Sequence, residues 1–254
     1  MRWDATDAEV NRAAIAGELE TAERLNEESV QIGLAIGGPD AMLRYGASLF
    51  QLRDMQGRFP EVLELIAGAA RDTPNIAALR AGHALCLARA GRPDEARKVV
   101  AADLADGFAS VQSDRIWTTS MGVFADLVTT LEARDAAATL YDLIVPYADQ
   151  VPTTFNNTYE VFHYYLGRLA ALLGRYDEAE AHLARAHEIH EAMPAPYFLA
   201  RTRVAWADLL LAHGDPADHD RARQLATQAR DEAATRGFAL VESDATRLLA
   251  RLDG

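Results

Sequence analysis

Residues 174–186 read GRYDEAEAHLARA, and the skeleton of this stretch recurs along the whole chain. A small residue breaks one helix, acidic side chains open the next, and a small apolar residue follows five positions after the break. Gly91 opens GRPDEARKVV, Gly57 opens GRFPEVLELI, Gly17 opens GELETAERL, and Gly214 opens GDPADHDRARQL with three extra residues in its turn. Glu132 stands in the remaining register, at the head of EARDAA. The landmarks 17, 57, 91, 132, 174 and 214 are spaced by 40, 34, 41, 42 and 40 residues, a period expected when each unit is one helix-turn-helix. Gly ends a helix by taking the left-handed conformation, and Asp or Glu in the next first turn favours the helix N-terminus. The small residue at the fifth position, Ala179 here, lets two helices approach closely, and Leu183 and Ala186 extend the buried stripe at helical spacing.

Composition agrees with this reading. Half of the 254 residues are hydrophobic but only 7% are aromatic, a balance that suits close-packed helices more than sheets. The formal charge of −13 disfavours nonspecific attraction to nucleic acid or anionic lipid, so neither is an expected partner. Cys86 is the only cysteine, which rules out a disulfide framework or a cysteine zinc site within the chain. No apolar run approaches the length of a membrane span, and Met1 to Asp4 lead into polar helix, so a soluble, cytoplasmic product is expected.

The expected architecture is all-α, a right-handed superhelix of helical hairpins forming one domain over 1–254. The hairpins fall roughly at 5–36, 41–71, 76–105, 116–148, 159–193 and 199–236, with a closing helix at 240–252. Pro60 and Pro93 sit where a first helical turn tolerates them, and Pro146 ends a helix. The least helical stretch, 150–158, carries Pro152, three Thr and two Asn and is the leading candidate for a functional loop.

Leu166, Gly167, Gly174, Tyr176, Ala179, Leu183 and Ala186 resemble the tetratricopeptide repeat pattern. More closely, the chain resembles the C-terminal helical region of large bacterial AAA or STAND-type ATP-binding regulators, some of which carry a class III adenylate or guanylate cyclase domain and others a LuxR-type DNA-binding domain. The resemblance is carried by YGASLFQLRDMQGR at 45–58, ALRAGHALCLARAGRPDEAR at 78–97, DGFASVQSDRIWTTS at 106–120, ATLYDLIVPYADQ at 138–150, YYLGRLAALLGRYDEAEAHLARA at 164–186 and LARTRVAWADLLLAHGDPADHDRARQL at 199–225. It implies a non-catalytic protein-interaction and effector-sensing scaffold, the C-terminal part of a signalling ATPase or transcriptional regulator. The alternative is a stand-alone peptide-binding adaptor. A phosphate-binding loop would need Lys followed by Ser or Thr, and the only lysine, Lys98, is followed by Val99, so no ATP site is assigned. No enzyme constellation and no cofactor is expected.

The repeat offsets of the resemblance place Arg44, Gln51, Asp54, Arg89, Thr119, Asp126, Thr130, Tyr164, Arg168, Arg201 and Asp208 on a concave groove. Such residues either solvate a long array or bind a protein segment, an attached ATPase or cyclase module, or a small effector. Arg168 and Arg201, with Tyr164 one turn away, are expected to converge on an anionic group of a ligand. Asp208 is the rival, since an internal ion pair would leave nothing for a ligand. His182, His187, His190 and Glu191 have metal-like spacing but read as a solvated helix face. The run of Phe155, Tyr159, Phe162, His163, Tyr164 and Tyr165 reads as core packing or as a pocket wall. Trp117 and Trp206 read as core or near-core aromatics, and the acidic DPADHD at 215–220 as a solvated turn.

Overall fold

The computed structural model describes residues 2–154 and 156–253; Phe155 of the aromatic run lies outside the described residues. These residues form fourteen α-helices. They are α1 (Arg2–Ile15), α2 (Leu19–Ala35), α3 (Ala41–Met55), α4 (Leu63–Asp72), α5 (Ala77–Arg89), α6 (Pro93–Val99), α7 (Ala101–Ala105), α8 (Trp117–Thr130), α9 (Arg134–Ile144), α10 (Phe162–Leu172), α11 (Tyr176–Ala192), α12 (Pro196–His213), α13 (His219–Arg236) and α14 (Ala239–Asp253). Among the described residues the only extended pairing is an isolated bridge between Thr153 and Thr158. The fold is all-α, and none of the helices described is long and apolar enough to cross a membrane.

The six landmark residues share one backbone conformation. Gly17, Gly57, Gly91, Gly174 and Gly214 have φ between 68° and 78°, and Glu132, the one landmark that is not glycine, has φ 51°. At Gly174 the helix ends with two linked bonds, Gly174 N–H to the Ala171 carbonyl at 3.0 Å and Arg175 N–H to the Ala170 carbonyl at 2.9 Å. This is the Schellman closure, which satisfies carbonyls the helix would otherwise leave open. The same pair of bonds closes the helices before Gly17, Gly57, Gly91 and Glu132.

The small residues past each landmark are all buried: Ala22, Ala96, Ala137, Ala179 and Ala222 have no exposed surface, and Val62 has 1%. Their role is visible between α10 and α11, where a Cβ added to Gly167 would lie 2.6 Å from Leu183 Cγ and 3.2 Å from the Ala179 carbonyl oxygen. The two backbones meet with no room for a larger side chain. Prolines set several boundaries. Pro196 occupies the first turn of α12, so that helix begins before the expected Leu199. Pro60 lies in a short 3-10 turn, and α4 starts only at Leu63. The helix expected through 93–105 breaks at Val100 into α6 and α7.

Consecutive helices pack side by side from α8 to α14, while α5 joins α4 and α6 to α8. One core cluster runs from α5 through α14. A second unites the ends of the chain, with Val10, Leu52 and Met55 packed among Tyr197, Phe198, Phe238 and Val241. Arg236 Nη1 donates to the Ala16 carbonyl at 3.1 Å, and α3 touches α14. In an open solenoid each unit would meet only its neighbours. Here the first helices also close against the last.

Candidate functional site

The centre of the molecule is organised around Asp126 on α8, a helix buried on most of its circumference. Three arginines reach this carboxylate. One terminal nitrogen of Arg201 on α12 donates to both oxygens, at 2.8 and 2.9 Å, Arg168 on α10 donates to Oδ1, and Arg89 on α5 lies 3.6 Å from Oδ2. The arginines are shared in turn with other acids: Arg201 pairs with Glu160 and Arg89 with Asp54 on α3. Tyr165 donates to Glu160 at 2.7 Å and Tyr197 to Asp54 at 3.0 Å. Three guanidinium groups thus face three carboxylates, so the network is formally neutral.

Burial alone would raise the Asp126 carboxyl, but Arg201, Arg168 and Arg89 together hold it well below the usual carboxylate range. Arg201, which burial would deprotonate more easily, is instead held charged by Asp126 and Glu160. The Tyr165 hydroxyl is pushed well up by burial and by Glu160. Ionised partners whose remaining hydrogen-bonding positions are filled are the form in which buried charges are tolerated.

Of the groove residues, Asp54, Arg89, Asp126, Tyr164, Arg168 and Arg201 are thus brought together. Tyr164 lies under both cations, 5.5 Å from Arg168 and 5.0 Å from Arg201. The acid on which Arg168 and Arg201 converge is Asp126 of the chain itself, and the internal pair foreseen for Asp208 is made by Asp126 instead. Asp208 pairs with Arg251 at 2.8 Å. Thr130 Oγ1 donates to the Asp126 carbonyl at 2.7 Å. Arg44 lies away from this centre, on Asp7 at 2.9 Å and Asp4 at 3.2 Å, with its guanidinium 4.2 Å above Trp3.

Gln51, on α3, is instead bonded to the loop at 150–158, which straps across that helix. Asn156 Nδ2 donates to the Arg44 carbonyl at 2.7 Å and to Ser48 Oγ at 2.8 Å. Asn157 Nδ2 donates to Gln51 Oε1 at 2.8 Å, and Gln51 Nε2 donates to the Thr158 carbonyl at 2.6 Å. Asn156, Asn157 and Thr158 are all buried. Two residues past the strap, Glu160 joins the arginine network, so the segment links α3 to that network. Glu160, Tyr165 and Tyr197 are network members that the groove assignment missed.

Beside the network opens a polar cleft of ≈ 770 Å³, with Arg89, Tyr164, Arg168 and Arg201 on one side and Asp208, Ser243, Asp244, Arg247 and Arg251 on the other. Arg168 is the network cation most open to it, with 23% of its side chain exposed, against 9% for Arg89 and Arg201. The far wall comes from α14, whose Arg247 pairs with Asp244.

The histidines of α11 do not form the solvated face expected of them. His190 is completely buried, His182 lies 2.8 Å from His163 and 2.9 Å from the Tyr141 hydroxyl, and His187 packs edge-on against Trp206. Among the described residues no group of three or more His, Cys, Asp or Glu side chains is placed to hold a metal ion. Cys86 is buried in an apolar cluster that pushes its thiol up to about 12, which leaves it without nucleophilic thiolate near neutral pH. No protein-family model, curated protein or solved structure matches the chain.

Proposed function

We propose that the chain is a non-catalytic binding scaffold, a right-handed superhelix of tetratricopeptide-like hairpins closed end to end, whose polar cleft receives a segment of polypeptide. In the setting implied by the resemblance, occupation of the cleft is passed to an attached ATPase, cyclase or DNA-binding module. The repeat reading is supported by the common left-handed backbone at all six landmarks and the buried small residue that follows each. The observation that carries the binding reading is the cleft itself. Its ≈ 770 Å³ lies between α14 and the arginine network, and its walls mix Arg, Asp and Ser, as suits main-chain and side-chain hydrogen bonds of a peptide. A free anion is a poorer fit, because each cationic group on the network side already has a carboxylate of the chain.

The test is a photo-crosslinking residue at position 243, on the cleft wall, introduced into the protein in its native cells. The expected result is a recurring crosslinked polypeptide that disappears when Arg168 is changed to Ala while the melting temperature holds within a few degrees. Crosslinks that are indifferent to Arg168→Ala, or none above those from an exposed control position such as Glu188, would count against the cleft.

A further inference from the structure

A second concavity, lined in part by Thr154 and Asn156 of the strap, has the opposite character. It measures ≈ 260 Å³ and is walled by Gly46 and Phe50 of α3, Leu65 and Ile66 of α4, Leu79 of α5 and Ile116 just before α8. Close-packed interiors leave few voids larger than a water molecule. An engineered apolar cavity of about 150 Å³ takes up benzene, so this one admits a molecule of roughly two rings. One turn of helix, about 10 Å across and 5.4 Å long, occupies roughly 400 Å³ and exceeds it.

The wall contains one anomaly. Thr119, on the first turn of α8, is 3% exposed and lines this pocket, and its Oγ1 is buried without a hydrogen-bond partner. A threonine in a helix ordinarily turns its hydroxyl onto the carbonyl four residues back, as Thr129 does onto Ala125 at 2.8 Å. Thr119 does not. A buried hydroxyl left unpaired is costly, and such groups in native proteins call for an explanation. The Tyr159 side chain also lines the pocket. Asp40 and Arg44, the charged residues of the lining, stand at the start and first turn of α3, and Arg44 is already held by Asp7 and Asp4.

We propose that this pocket is a binding site for a small, uncharged, mainly apolar molecule with a single hydrogen-bonding group, which the Thr119 hydroxyl engages. The apolar walls supply affinity and one polar point supplies orientation, the usual division of labour in small-molecule sites. The inference goes beyond the polar cleft and does not depend on it, since the two sites share no lining residue.

Two probes of equal shape test it, 2-naphthol and naphthalene, titrated by fluorescence against the full chain. Wild type is expected to bind both saturably at one site, with 2-naphthol the tighter. Thr119→Val removes the hydroxyl at nearly constant volume; it is expected to weaken 2-naphthol by about fivefold, one lost hydrogen bond, and to leave naphthalene unchanged. Gly46→Leu fills the space from a position where a Cβ makes only ordinary contact, 3.6 Å from Leu65 Cδ2. It is expected to abolish binding of both probes without lowering the melting temperature. Binding that does not saturate, survives Gly46→Leu, or is indifferent to Thr119→Val for both probes would overturn the assignment. So would a dimer in sedimentation that Met42→Ser or Leu65→Ser dissolves while neither probe binds, because the exposed rim at Met42 and Leu65 would then belong to a second copy of the chain.

Discussion

His190 shows how one side chain can be tied to the stability of the whole. Val161 N–H donates to its Nε2 at 3.2 Å, so the proton must sit on Nδ1, which donates to Thr202 Oγ1 at 3.0 Å; that hydroxyl passes its own proton to the Phe198 carbonyl at 2.9 Å. Protonation would break the first of these bonds and bury a charge near Arg201. Burial first, and then Arg201, lowers the imidazole from 6.5 to about 3. The unfolded chain takes up this proton near pH 6.5 and the folded chain does not. The contribution is therefore fully present above pH 6.5 and is lost as pH falls toward 3, with about 2–3 kcal/mol gone by pH 4.5. Urea unfolding at pH 7 and 4.5 should show this difference in wild type and a difference smaller by about that amount in His190→Gln, which keeps an acceptor but cannot titrate. Equal differences in the two proteins would remove His190 from the pH response. Its burial was legible in principle, since 179, 183, 186 and 190 continue one stripe at steps of four, three and four. Reading the three histidines as a group hid that register.

At the scale of the helix and its turn, the sequence pattern was most informative, because the chemistry that ends a helix is local. Gly followed by an acidic first turn marks the same left-handed closure wherever it occurs, and even Glu132, placed by spacing alone, adopts it. An L-residue with a side chain pays for that conformation with about 1–2 kcal/mol of strain. Glu132 is exposed, and its N–H bonds are those any residue would make. Glu132→Gly is therefore expected to stabilise the protein by about 1 kcal/mol, raising the melting temperature by roughly 2–4 °C in a chain of this size. A fall in melting temperature would mean that the Glu132 side chain makes a compensating contact. What local pattern could not convey was the strap. Its Pro, Thr and Asn content marks 150–158 as irregular, but only the packed structure brings Asn156 and Asn157 onto α3, more than a hundred residues away in sequence.

For the molecule as a whole, the arrangement is a set of hairpins closed around a neutral cluster of charges. Arg89, Asp126, Arg168 and Arg201 were recognisable as a polar set at repeated positions, yet their mutual pairing was not. It depends on how α5, α8, α10 and α12 converge, and on Glu160 and Tyr197, which no repeat offset singles out. A buried pair is not in itself a large net stabiliser, but removing one partner strands the other in a poorly solvating interior, at a cost of about 3–5 kcal/mol. The same logic separates the network's members. Arg201 should be indispensable to the fold, whereas Arg168, more open to the cleft, should tolerate replacement. The most direct measurement is a double-mutant cycle in which Asp126→Asn, Arg201→Gln and the combination are unfolded in denaturant. The expected result is a loss of about 3 kcal/mol or more for each single change, with a coupling energy of about 2 kcal/mol or more between them. Single losses under about 1 kcal/mol with coupling under about 0.5 kcal/mol would contradict the claim that this carboxylate holds the centre of the molecule together.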